Sequence, residues 1–186
     1  MPIITLPKAH ANGSKAFAIQ VPPTIRSVSE WNKITLCGEA PGWQEVRDGE
    51  GFVGGSGKVL ERICKAAGIN FNACNRTNVV KRQPPGDNFG TFYHDPKERK
   101  KPTEELIWWQ ELLRLELEKY RPSVVVALGN EALKALTSYA GITKWRGSVL
   151  KSSAIPDLKV IASVHPAWIM RDNWEYYYIG IRDLKR

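Results

Sequence analysis

The chain has 186 residues, enough for one domain around a single core and short for two. Lys and Arg number 27 against 19 Asp and Glu, and the resulting +8 points to a polyanionic partner, of which nucleic acid is the usual one. Three scattered cysteines, Cys37, Cys64 and Cys74, without CxxC or CxxH spacing, exclude a disulfide framework and argue against zinc.

No charged-then-apolar leader and no apolar run of membrane length is found, so an intracellular protein without membrane contact is expected. Residues 1 to about 30, with Pro2, Pro7, Pro22 and Pro23 and little periodicity, read as an irregular arm. Ile34 to Cys37 is a short apolar run closed by Gly38, a buried-strand pattern, and a polar, Gly-rich loop from Glu39 to Gly57 follows. Val59, Leu60, Ile63, Ala66 and Ala67 recur on one face and predict a helix that stops at Gly68. Thr77 to Val80 predicts a second strand, broken by Gln83-Pro84-Pro85-Gly86.

Thr103 is placed to cap a long helix running to about Tyr120. Ser123 to Leu128 is the clearest buried strand, and Gly129-Asn130 turns it into a helix from Glu131 to about Tyr139. Short strands are predicted at Gly147 to Leu150 and Leu158 to Ala162, and a last helix at Trp174 to Lys185. Strands alternating with helices imply an α/β sandwich on a largely parallel sheet, in which ligands bind beyond the carboxyl ends of the strands. Gly38-Glu39, Asn78, Gly129-Asn130 and His165 all fall at such ends.

Each of these residues has an ordinary reading as well. Gly38 to Gly42 can be a tight turn with a solvated Glu39. Asn78, set among apolar neighbours, is either a structural bridge or a reader of a ligand edge, since a buried amide needs partners. His165 can be a merely exposed loop histidine, as His10 and His94 are expected to be, and Phe52 can be a core aromatic. Gly54 to Lys58 fails as a phosphate loop: Phe52 stands at the first glycine position and Val59 replaces the Ser or Thr.

Taken together, the segments GEAPGWQE, GFVGGSG, TNVVKRQPPGDN, VVVALGNEAL and VHPAWIMR resemble the uracil-DNA glycosylase superfamily. The likeness is to its family 4 and to phage DNA-polymerase-related members, and it spans about Ile34 to Arg171. It implies a three-layer α/β/α sandwich with a central, mostly parallel four-stranded sheet, in one domain over residues 31–186. It also implies excision of uracil from DNA by base flipping and hydrolysis of the N-glycosidic bond.

By the same resemblance, Glu39 and Glu45 match acidic positions for water activation, and His165 matches the histidine that stabilises charge on the uracil O2. Gly38 and Ala40 belong to the loop that contacts the base through its backbone, Phe52 to the stacking aromatic and Asn78 to the edge-reading amide. Ser56, Lys81 and Arg171 are expected on DNA phosphates, and Trp168, Ile169 or Met170 in the space that the base vacates. No lysine stands where a Schiff base would form, which disfavours strand cleavage.

Two departures follow from the same comparison. Family 4 members usually carry four cysteines that hold an iron-sulfur cluster. Here Arg82 stands at the third position and Trp108 or Trp109 near the fourth, with no CxxC before Gly38. The cluster is expected to be absent, with no cofactor or metal in its place and with Trp31, Trp108 and Trp109 packing there. Ala167 replaces a serine common after the His-Pro pair. The expected partner is uracil-containing DNA, single- or double-stranded, bound by a monomer. The alternatives are a non-catalytic DNA- or uracil-binding module of a polymerase or repair complex, and a glycosylase for hypoxanthine or xanthine.

Overall fold

A computed structural model describes residues 17–186; the predicted arm lies outside the described residues up to residue 16. Five strands make one sheet: β1 (Ile34–Gly38), β2 (Asn75–Asn78), β3 (Val124–Leu128), β4 (Val149–Lys151) and β5 (Lys159–Ser163). The helices are α1 (Trp43–Asp48), α2 (Gly55–Ala66), α3 (Glu104–Tyr120), α4 (Asn130–Thr137), α5 (Ile142–Trp145), α6 (Pro166–Ile169) and α7 (Glu175–Leu184). No helix among the described residues is long and apolar enough to cross a membrane.

The strand order is β2-β1-β3-β5-β4, with β2, β1, β3 and β5 parallel and β4 antiparallel to β5. The sheet is thus mostly parallel, as expected, but has five strands and not four. The fifth is the three-residue β4, at the short strand predicted for Gly147 to Leu150; it pairs only with β5 at that edge.

Side chains alternate across the sheet and divide the core into two layers. Cys37, Val125, Ala127, Val160 and Ala162 face α3 and α4, which contribute Trp109, Leu113 and Leu133. Leu36, Val126 and Leu128 face the other way, onto Leu60 and Ile63 of α2, Ile169 of α6 and Leu184 of α7. The result is a three-layer sandwich.

Local chemistry sets most helix ends. Thr103 caps α3 by accepting from the Leu106 amide at 3.3 Å, and Glu104 and Glu105 sit in the positive first turn. α2 starts at Gly55, four residues before the apolar periodicity begins at Val59, because extended Gly54 lets the chain enter the helix early. β2 starts at Asn75, two residues upstream of the apolar run predicted as strand. Asn75, Arg76 and Thr77 are buried despite their polarity. The arm explains how: Thr24 pairs with Arg76, the Arg26 amide donates to Asn75 Oδ1 at 2.8 Å, and the Gln20 and Val21 amides donate to the Lys81 carbonyl. This part of the arm covers the free edge of β2 and satisfies its backbone.

Candidate functional site

The carboxyl ends of β1, β3 and β5 open into a cleft of about 830 Å³, lined by Glu39, Glu45, Ser56, Asn130, His165 and Arg171 among others. It lies where the strand order reverses about β1, the usual ligand position in an open parallel sheet. Glu39 follows β1, and its Oε1 accepts from the Glu131 amide of α4 at 3.2 Å. The positive end of α4 favours the carboxylate, yet desolvation prevails and raises the Glu39 pKa to about 7. Gly129 makes this approach possible. It has φ +95°, and a Cβ there would overlap Glu39 Oε1 and stand 3.1 Å from His165 Cβ.

His165 ends the loop after β5 and caps α6, its Nδ1 accepting from the Ala167 amide at 3.2 Å. That bond assigns the proton of the neutral ring to Nε2. Burial lowers the His165 pKa to about 4, against an opposing pull from Glu45, so the ring is neutral at physiological pH and donates from Nε2.

Glu45 works on the loop itself. Its Oε2 accepts from the Gly42 amide at 2.6 Å, and its Oε1 accepts a short bond from the Phe52 amide. Phe52 holds a left-handed φ of +63°, uncommon for a bulky residue, and this bond helps to keep it there. The ring is buried against Gly38, where a Cβ would stand 2.9 Å from its Cζ and overlap Asn78 Oδ1. Asn78 ends β2 in register with Gly38 and is 5% exposed. Its side-chain amide makes no hydrogen bond among the described residues, and its polar atoms keep some access to solvent. Phe52, Gly38 and Asn78 thus form one contact group next to Glu39, beneath the open cleft and not on its lining.

Two expected DNA contacts are corrected. Lys81 is 1% exposed, and its ammonium bonds Glu116 at 3.1 Å, Thr77 Oγ1 at 2.9 Å and the Asn78 carbonyl at 2.5 Å. It has no surface to offer a phosphate. Ile169 is fully buried in the α2–α7 layer because α6 turns it inward, so it cannot wedge into a duplex. Trp168 is half-buried and packs edge-on against Tyr176 at 4.4 Å, while Met170 and Arg171 stay exposed beside the cleft. Ser56 lies in the first turn of α2 and Ala40 on the cleft wall.

Other cleft residues carried no signal in the chain. Trp43 and Gln44 lie inside the first motif without a separate pattern of their own, and Pro84, Asp87 and, from α5, Thr143 reach the lining only through tertiary packing. Behind Glu39, buried Glu131 accepts from the Tyr93 hydroxyl at 2.5 Å and from Arg99 at 3.1 Å, which fixes the start of α4.

The model of the uracil DNA glycosylase superfamily matches residues 28–179. The chain belongs to the uracil-DNA glycosylase superfamily. Its relatives include a type-4 uracil-DNA glycosylase of Thermotoga maritima, 31% identical over 76% of this chain and 68% of that protein. Another of Archaeoglobus fulgidus is 32% identical over 84% and 78% respectively. A DNA polymerase of Bacillus phage SP01 is 26% identical over 82% of this chain but only 15% of its own length. Superfamily membership agrees with the three-layer sandwich and with an enzyme acting on N-glycosyl bonds.

The iron-sulfur cluster that family 4 resemblance implies does not fit the residues of this glycosylase-superfamily chain. Arg82 makes a two-pronged ion pair with Glu105 at 2.5 and 2.7 Å, and Trp109 Nε1 donates to the same carboxylate at 3.1 Å. The Arg82 guanidinium lies 5.0 Å over the Phe92 ring, and Phe17 packs on Trp108 at 5.6 Å. Trp31 is elsewhere, donating to the Ile34 carbonyl. All three cysteines are buried, and no three His, Cys, Asp or Glu side chains are grouped to hold a metal among the described residues.

Proposed function

We propose that this chain is a monofunctional DNA glycosylase that excises uracil from DNA and works without an iron-sulfur cluster. The observation that carries the proposal is the convergence, at one end of the sheet, of a carboxylate with pKa about 7, a neutral histidine donating from Nε2 and a side-chain amide without a hydrogen-bond partner among the described residues.

An N-glycosidic bond breaks to a uracil anion and an oxocarbenium-like sugar. The electron pair of the C1′–N1 bond passes into the base, and His165 Nε2–H, aimed at O2, stabilises it there. Water, oriented by Glu39, adds to C1′ and its proton passes to the carboxylate; the uracil anion takes up a proton from solvent, to which Glu39 returns its own, leaving an abasic site and free uracil. Glu39 suits this role better than Glu45, both of whose oxygens are held by backbone amides. The Asn78 amide can donate to O4 and accept from N3–H, the uracil edge that cytosine lacks. Phe52, packed with Asn78 against Gly38, would hold that amide in place. Base extrusion costs a few kcal/mol, met in part by basic groups such as Arg171 on phosphate.

The test is incubation with oligonucleotides carrying uracil, hypoxanthine or xanthine, single-stranded or paired, followed by alkaline cleavage of abasic sites. Uracil should be released. His165→Ala should reduce the single-turnover rate by about 100- to 1,000-fold, the usual cost of a lost charge-stabilising donor. Asn78→Ala should erode the preference for uracil over cytosine. Release of hypoxanthine or xanthine alone would reassign the base, and tight binding without excision of any base would make the chain a binding module.

A further inference from the structure

Trp43 opens α1 with its indole 58% exposed, although Trp108 and Trp109 are almost wholly buried. The ring lines the cleft. One turn on, the Arg47 guanidinium lies 5.3 Å from its centroid and is itself held by Asp48 at 2.6 and 3.0 Å. Arg47 thus braces one side of the indole. Across the cleft, Met170 is 42% exposed and packs over Gly55, with Arg171 beside it.

Volume and charge narrow the occupant. A cleft of about 830 Å³ lies at the upper end of whole small-molecule sites and exceeds what one pyrimidine nucleotide fills. The acidic residues of the Trp43 loop do not oppose a nucleic acid strand. Glu45 is spent on backbone amides, Asp48 on Arg47, and Glu50 on Arg76 at 2.5 Å. An aromatic face kept in water, next to a substrate site on a basic protein, suits an unpaired base, because every base presents a π-face.

We propose that Trp43 is a stacking platform for the base of a nucleotide flanking the target uridine, so that the cleft grips two nucleotides of an unpaired strand. The inference rests on the glycosylase reading for the position of the target, but stacking is measurable without excision. Because its ring is largely exposed, Trp43 can be replaced without opening the core.

The experiment is a binding cycle on the full chain. Fluorescent single-stranded oligonucleotides carry 2′-fluoro-deoxyuridine, whose fluorine resists cleavage by destabilising the oxocarbenium. The neighbouring base is either present or replaced by a tetrahydrofuran spacer, on the 5′ or the 3′ side. Removing the neighbour on one side should weaken wild-type binding by about ten-fold, within the range of base–aromatic stacking. Trp43→Ala should lose about the same, Trp43→Phe much less, and loss of ring and base together should cost no more than either alone.

Additive losses, or wild-type affinity in Trp43→Ala, overturn the proposal. If the cycle couples but wild-type protein releases no uracil from the unfluorinated strand, stacking stands and the glycosylase reading falls. If uracil is released but the cycle does not couple, only the stacking platform falls.

Discussion

Lys81 offers the sharpest test of how the end of β2 is held. Its ammonium and the Glu116 carboxylate are both buried, at 1% and 2% exposure, and the ammonium also bonds Thr77 Oγ1 and the Asn78 carbonyl. Lys81→Met removes the cation and leaves Glu116 charged and unpaired in the α3 layer. Breaking one side of a buried pair in this way costs about 3–5 kcal/mol. Replacing both partners, as Lys81→Met with Glu116→Leu, removes both charges and should recover most of that loss. A residue of roughly 1–3 kcal/mol should remain, from the Asn78 carbonyl and the Thr77 hydroxyl left without their donor.

Urea unfolding followed by tryptophan fluorescence gives both values from the midpoints, at constant slope. If Lys81 instead served DNA phosphates, as its place in a basic stretch suggests, Lys81→Met would leave unfolding unchanged and weaken DNA binding. A single variant costing less than about 1 kcal/mol, or a double variant less stable than the single, would refute the buried clamp.

Two further outcomes follow from the site. Because burial raises the Glu39 pKa to about 7, its base form is lost as pH falls through that value, whereas His165, lowered to about 4, stays neutral. Single-turnover excision should therefore climb between pH of about 6 and about 8 and lose this limb in Glu39→Gln; a flat wild-type profile would remove Glu39 as the base. Gly129→Ala puts a Cβ on a backbone of φ +95° and into Glu39, so it should cost about 1–3 kcal/mol in thermal unfolding and slow excision as well; wild-type behaviour in both would show that neither constraint matters.

The sequence by itself determined the alternation of strands and helices, because buried parallel strands read as apolar runs and α3 carries its own cap at Thr103. It also placed Gly38, Glu39, Asn78, Gly129 and His165 at strand ends, where local chemistry is legible: a glycine stop, a polar residue after an apolar run, a His-Pro step. It could not say which way a long side chain turns. Lys81 and Arg171 look alike as basic residues in polar stretches, yet one faces Glu116 inside the core and the other the cleft.

Likewise, the sequence did not show that both Glu45 oxygens are taken by backbone amides, at Gly42 and at Phe52. The Arg82–Glu105 pair joins residues 23 apart, and Glu39 meets the Glu131 amide across 92 residues. Such contacts depend on strand order and helix rotation, which no local pattern encodes. The tertiary structure alone decided which carboxylate has both oxygens on backbone amides, which lysine is a strut, and that Trp43 faces the cleft.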